Sequence, residues 1–211
     1  EELGASAGET RDRLIRNELM TGTNVMFCDT VSSEGGVTAP ADYSGMSADN
    51  NRLTPDMVNK AATALKKAKA PKINGKYYAV IHPSVVEDLR NHKDWVDVHK
   101  YMAASEIFNG EIGELHGVRF IETTNAKITS QAVSGGNAMV YSTLFFGKDA
   151  YGVIDAEGGA LEMIVKDKSQ VGGPLEQYST AGYKFEDCTK ILYQERMLRV
   201  ESCSAYSKTD E

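Results

Sequence analysis

The chain has 211 residues, 41 % apolar and 25 % charged, with a formal net charge of −7. That length suits one large domain or two small ones sharing a core, and the composition excludes a wholly disordered chain. The acidic balance argues against a protein that grips DNA through many phosphates, and no stretch reaches the roughly 18 apolar residues a membrane helix needs.

No secretory signal opens the sequence. Residue 1 is Glu rather than Met, so a processed, engineered or partial polypeptide is expected. Cys28, Cys188 and Cys203 are widely spaced, odd in number and form no CxxC pair. This speaks against a disulfide framework and a structural zinc site, and for synthesis in a reducing cytoplasm.

Residues 8–20 read as a charged helix with a narrow apolar stripe of Leu14, Ile15 and Leu19, stopped by Gly22. Residues 28–53, broken by Gly35-Gly36, Pro40, Gly45 and Asp49-Asn50-Asn51, read as a long surface loop. Residues 54–69 carry the strongest helix signal. Thr54 is placed to cap it, Pro55 fits the first turn, Asp56 suits the positive end of the dipole and Lys66, Lys67 and Lys69 the negative end. Tyr77 to Ile81 is a short apolar run after the turn Asn74-Gly75, hence a buried strand. Pro83 starts another helix with Val85, Val86 and Leu89 inward, and Trp95 to Met102 is expected to be helical. Glu111 to Glu122 reads as a hairpin turning at His116-Gly117, with Leu115, Val118, Phe120 and Ile121 packing one sheet edge. Strands follow at Ala138–Phe146 and Leu161–Val165, and Tyr178–Cys203 reads as one or two long strands, with helix an alternative for YQERMLRVES. Helices and strands mix without a βαβ rhythm, so the fold class is α+β.

Tests for chemistry come out negative. Gly75-Lys76 and Gly147-Lys148 lack the upstream glycine and following hydroxyl of a phosphate loop. The Gly-Gly pairs at 35, 135, 158 and 172 read as turns. In HKDWVDVH, His92 and His99 would stand about 10 Å apart on one helix, so a solvated polar face is preferred to a metal site with Asp94 and Asp97. No GxSxG elbow is present, and Cys28 has no histidine nearby in sequence.

Several phrases carry a family resemblance: RNELMTGTN (16–24), YYAVIHPSVVEDLR (77–90), WVDVHKY (95–101), IFNGEIGELHGVRFIETTNAKI (107–128), FFGKDAYGVID (145–155) and KILYQERMLRVES (190–202). Together they resemble the major capsid protein of tailed double-stranded DNA bacteriophages, with the Hong Kong 97-type fold, in its N-four-like branch. The resemblance implies a peripheral domain from residues 1–54 and 177–211, with a spine helix at 8–20 and C-terminal strands. It implies an axial domain from 55–176, and an N-terminal arm and extended loop that this chain lacks. It further implies a non-enzymatic virion protein without cofactors, made in the bacterial cytoplasm and assembling with its own copies into pentamers and hexamers. Those would enclose double-stranded DNA without sequence-specific binding, with scaffold, portal or decoration proteins as further partners and no membrane. A negative wall would repel the packaged genome. Candidate intersubunit contacts are Arg13, Arg16, Trp95, Tyr101 and Phe108. No catalytic, cofactor-binding or metal residue is expected. Two alternatives stand beside this reading: an encapsulin-like shell, which needs a cargo groove near its N-terminus, and a small acidic enzyme, which needs polar residues converging in a pocket.

Overall fold

In the computed structural model, residues 2–31, 37–93, 95, 113–155, 161–171 and 173–206 are described. Packing divides the chain into two compact units. One comprises Glu1–Leu19 and Tyr151–Ile191, the other Met20–Ala150 and Leu192–Glu211. The expected peripheral and axial segments have other boundaries, at 54/55 and 176/177. Residues 20–54 and 192–206 pack with the central segment because each contributes a strand to its sheet.

That sheet belongs to the larger unit and has seven strands. They are β1 (Val25–Phe27), β4 (Tyr77–Ile81), β5 (Glu114–Leu115), β6 (Val118–Glu122), β7 (Ile128–Val133), β8 (Gly136–Phe146) and β13 (Met197–Ser202). The order is β1-β13-β8-β4-β6-β5, with β7 paired to the first half of β8. β4 is central, antiparallel to β8 and parallel to β6, and its alternate residues Tyr77, Ala79 and Ile81 are buried.

One face is covered by α2 (Pro55–Lys67) and α3 (Pro83–Asn91). Thr54 caps α2 by accepting from the Met57 N–H at 3.4 Å, and Met57, Val58, Ala61, Ala62 and Leu65 point into the core. His82 caps α3, its Nδ1 accepting from the Ser84 N–H at 3.2 Å. Val85, Val86 and Leu89 complete this layer over Tyr141, Phe145, Leu198 and Val200. Each large apolar side chain buried here contributes about 1.5–3 kcal/mol. Thus α2, β4, α3 and the strand in β8 stand where the sequence places them.

The hairpin at 113–122 also forms, with Leu115 opposite Val118 and His116 and Gly117 both at positive φ (52° and 80°). Both central residues at positive φ define the turn that matches strand twist. Ile121 departs from expectation: it is exposed, because β6 alternates and only Val118 and Phe120 face inward. Gly147 permits a close approach, since a Cβ there would lie 2.6 Å from the Pro71 carbonyl oxygen.

The opposite face carries a smaller cluster of Met46, Val133, Ala138, Val140 and Cys203, with Phe27 and Tyr43 against it. The described part of segment 28–53 supplies Tyr43, Met46 and Ala48 to this layer, which corrects the surface-loop expectation for these residues. It contains β2 (Thr30–Val31), β3 (Val37–Thr38) and a 3-10 turn at Tyr43–Gly45 capped by Asp42. Cys28, Met46, Asn51 and Leu53 are buried. Asn51 holds the segment together. Its amide nitrogen donates to the Cys28 carbonyl and to Thr30 Oγ1, its side-chain oxygen accepts from the Ser47 N–H at 2.6 Å, and its backbone carbonyl accepts from the Cys203 N–H at 2.7 Å.

A charged pair is buried beside this cluster. Glu201 is wholly buried and accepts from Ser142 Oγ at 2.7 Å. Arg199 Nε lies 2.7 Å from Glu201 Oε1 but out of line for a hydrogen bond, so charge rather than a directed bond joins them. Arg199 also donates through Nη1 to the Met20 carbonyl. Burial is the larger influence and pushes the Glu201 carboxyl up, against the hydrogen bond from Ser142 and the charge of Arg199.

The C-terminal region makes three strands, not one or two. They are β11 (Thr180–Lys184), β12 (Asp187–Ile191) and β13, with a 3-10 turn at Gln194–Arg196 before the last. YQERMLRVES is therefore a turn leading into a strand. The sheet neighbours β1 and β8 supply hydrogen bonds that a helix would forgo.

Candidate assembly surface

The smaller unit contains α1 (Glu2–Leu19), β9 (Tyr151–Asp155), β10 (Glu162–Lys166), the short α4 (Lys168–Val171), β11 and β12. β9 pairs with β12 and β10 with β11, both antiparallel. α1 starts at Glu2, ahead of residue 8, and is fixed to these strands by polar contacts. Arg11 Nε donates to Asp187 Oδ2 at 2.7 Å, Lys190 Nζ to Glu18 Oε1 at 2.8 Å, and Thr10 shares a hydrogen bond with the Tyr183 hydroxyl at 3.0 Å. Ala7 and Leu19 are its buried residues. Leu14 of the expected apolar stripe is 53 % exposed.

β10 departs most from what an isolated chain should tolerate. All five residues are exposed, and three are apolar: Met163, Ile164 and Val165, the last at 66 %. Successive side chains point to opposite faces, so Met163 and Val165 present one apolar face and Ile164 interrupts the other. Leu161, Leu175 and Tyr178 nearby in sequence are also exposed. Among the described residues, β10 pairs only with β11 and β11 only with β10, leaving both outer edges without a strand. A two-stranded ribbon is marginal by itself. An apolar strand with open edges is a template for another chain unless it is covered.

The five residues named from sequence fall differently. Arg13 is exposed and paired with Glu9 at 2.5 Å. Arg16 donates to Asn17 Oδ1 at 2.9 Å, and burial, then the neighbouring Arg13 charge, lowers its pKa. Trp95 is 5 % exposed and meets Phe120 edge-on with ring centres 6.4 Å apart, so in this chain it serves the core. Tyr101 and Phe108 lie outside the described residues, as do most of the helix expected at Trp95–Met102 and His99 of the histidine-rich stretch. Sequence reading recognised the 161–165 strand but not its exposure. The available signal was the unbroken run Met163-Ile164-Val165, which no one-sided sheet can bury.

Among the described residues, no group of three or more His, Cys, Asp or Glu side chains is arranged to hold a metal, and no helix is long and apolar enough to cross a membrane.

The chain is thus an α+β protein with an exposed strand ribbon and a charged helix laid across strands. The sequence profile described as phage capsid protein matches residues 1–170, and the chain belongs to that family. Solved phage capsids share its architecture. A chain from the structure of Mycobacterium phage Che8 is 16 % identical with a TM-score of 0.58, over 93 % of this chain and 60 % of that one. The capsid chain of cyanophage Pam1 is 13 % identical with a TM-score of 0.64, over 94 % and 66 %. The acid-stable capsid of Helicobacter pylori bacteriophage KHP30 is 9 % identical with a TM-score of 0.63, over 96 % and 67 %. At such identities the likeness concerns the fold, which is the α+β, Hong Kong 97-type capsid fold expected from sequence. The chain spans 60 % of the length of the Che8 chain and 66 % of the Pam1 chain. Comparison with curated proteins gives no significant match.

Proposed function

We propose that this is a major capsid protein that self-assembles into the pentamers and hexamers of an icosahedral head enclosing double-stranded DNA. The family match over residues 1–170 carries the reading. The uncovered β10–β11 ribbon supports it, because repeated contacts between identical copies would cover that surface. Many weak contacts acting together suffice to hold a shell. The protein works by contact alone, with no substrate turned over. DNA is enclosed without sequence-specific binding, consistent with the net charge of −7. Synthesis is in the bacterial cytoplasm, and scaffold, portal and decoration proteins are its further partners. The unit carrying α1 takes the peripheral role and the unit with the seven-stranded sheet the axial role.

Electron microscopy of particles from cells expressing the full-length protein tests the reading. Closed shells with five-fold and six-fold capsomers are expected. Open sheets, or no particle under any condition including co-expression with the phage's own head proteins, would overturn it.

A further inference from the structure

The exposed ribbon of the smaller unit carries a charge pattern that specifies what covers it. Residues 162–184 hold Glu162, Asp167 and Glu176 against Lys166, Lys168 and Lys184. The ribbon is therefore neutral, and no oppositely charged surface is needed to receive it. Its two strands are not equivalent. β11 has Gly182 at its centre, which weakens a strand, and its Tyr183 is engaged by Thr10 of α1 at 3.0 Å. β10 has Met163-Ile164-Val165 at its centre and pairs without a bulge, so neither proline nor bulge blunts its edge. Among the described residues, the edge of β10 away from β11 carries no strand.

The register with β11 sorts the side chains. Glu162, Ile164 and Lys166 share one face, opposite Lys184, Gly182 and Thr180, while Met163 and Val165 share the other, opposite Tyr183 and Ala181. On the first face, charges of opposite sign thus flank Ile164 symmetrically. Guard charges of one sign at both ends of an apolar strand would repel a second copy of that strand. Charges of opposite sign favour a second copy in one arrangement. Antiparallel pairing about Ile164 sets Glu162 of each copy against Lys166 of the other, Met163 against Val165, and Ile164 against Ile164. Parallel pairing in register sets like charges opposite one another, which is unfavourable. A slip of one residue sets Met163 against Lys166, or Glu162 against Val165, and loses both ion pairs. Glu162 has Lys184 of its own β11 at 3.6 Å, but both side chains are more than half exposed, so the carboxylate stays open to a second cation. Lys166 makes no ion pair among the described residues.

The geometry points to an edge-to-edge contact in which β10 of one copy pairs antiparallel with β10 of a second copy about Ile164, making one four-stranded sheet across a two-fold axis. The inference rests on the capsid reading and names the partner and the symmetry of the exposed ribbon. Because both copies offer the same residues, the contact is isologous and closes after two copies. It cannot build a ring of five or six, which needs unlike patches head to tail. It joins one capsomer to the next. Main-chain hydrogen bonds along the open edge supply the pairing, and the two ion pairs fix its direction and register.

Exchange of the two charges in the full-length protein tests it. Glu162→Lys and Lys166→Glu each set like charges opposite one another. Each should raise the concentration needed for shells about tenfold or more, followed by sedimentation with thermal melting as the control for folding. The protein carrying both changes restores unlike pairs and should assemble close to the parent threshold. A cysteine at the axis gives a second readout. Directly opposed residues have Cα atoms about 4.5–5.5 Å apart, within reach of a disulfide. In a Cys188→Ser background, particles carrying Ile164→Cys should oxidise to covalent dimers, whereas Val165→Cys, which stands opposite Met163 of the other copy, should not. If shells form yet Ile164→Cys stays monomeric, the pairing is wrong while the capsid reading stands. The same holds if the single charge variants assemble like the parent protein, or if the double exchange assembles no better than they do. A parent protein that forms no particle under any condition would overturn the capsid reading and the pairing with it.

Discussion

Arg199 and Glu201 project from the same face of β13 with Nε and Oε1 2.7 Å apart, and the carboxylate is wholly buried. The ion pair, Ser142 and Tyr43 favour the charged carboxylate, and burial opposes it. Burial wins, since the carboxyl is shifted up from its ordinary 4.5. For an acid shifted up, the native state binds the proton more readily than the unfolded state. The associated stability is fully present below the unfolded value and is lost as pH rises through the folded one. Glu201→Gln removes that titration. The variant should melt above the parent protein at pH 7, and the difference should shrink towards pH 4.5, a range set by the cited shift. Equal destabilisation at every pH would mean that Arg199, left without its counter-charge, dominates.

Asn51 satisfies backbone and side-chain groups from three places in its segment at once. Asn51→Ala leaves the Cys28 carbonyl and the Ser47 N–H without those partners. A loss of about 2 kcal/mol or more in denaturant unfolding is expected. Limited proteolysis should then cut between residues 31 and 46 sooner than in the parent protein.

Gly117 has φ +80°, and a Cβ there would touch nothing within 4 Å. The cost of Gly117→Ala is therefore backbone strain alone, about 1 kcal/mol. Gly117→Asn should cost less, because Asn tolerates the left-handed region. Equal melting of all three proteins would contradict the turn.

The three cysteines are free thiols in different settings. Burial raises Cys28 well above its ordinary value and Cys203 to about 11, whereas Cys188 is exposed on β12. A thiol reagent at pH 8 should titrate one group promptly in the native unassembled chain and three after denaturation. Two or more prompt groups would show that the core around Cys28 and Cys203 is open.

Where short-range chemistry decides the structure, the sequence is legible. Thr54-Pro55 and His82-Pro83 start helices, and His116-Gly117 turns a hairpin, because caps and left-handed residues act locally. Segment 28–53 misleads because glycines and a proline conceal a hydrogen-bonded layer whose organiser, Asn51, looks like one more polar loop residue. β7 is missed because ITSQAV shows no regular apolar alternation and is held in place by its pairing with β8. The family and fold are readable from long specific phrases. The candidate surface is not, because exposure of Met163–Val165 depends on what the rest of the chain leaves uncovered. Trp95 illustrates the converse: an aromatic residue suited to an interface is buried against Phe120 in its own chain.

On the capsid reading, this chain completes itself only among copies, through a surface that includes the exposed face of β10. Sedimentation velocity of the full-length protein, alongside Val165→Asp, tests this most directly. The parent protein should pass steeply from small species to closed shells as concentration rises, with the threshold moved by salt. Val165→Asp should melt like the parent protein, because residue 165 is 66 % exposed, yet remain small at every concentration. A parent protein that stays monomeric at all concentrations and salt levels without needing a scaffold, or a Val165→Asp variant that forms shells at the parent threshold, would contradict it.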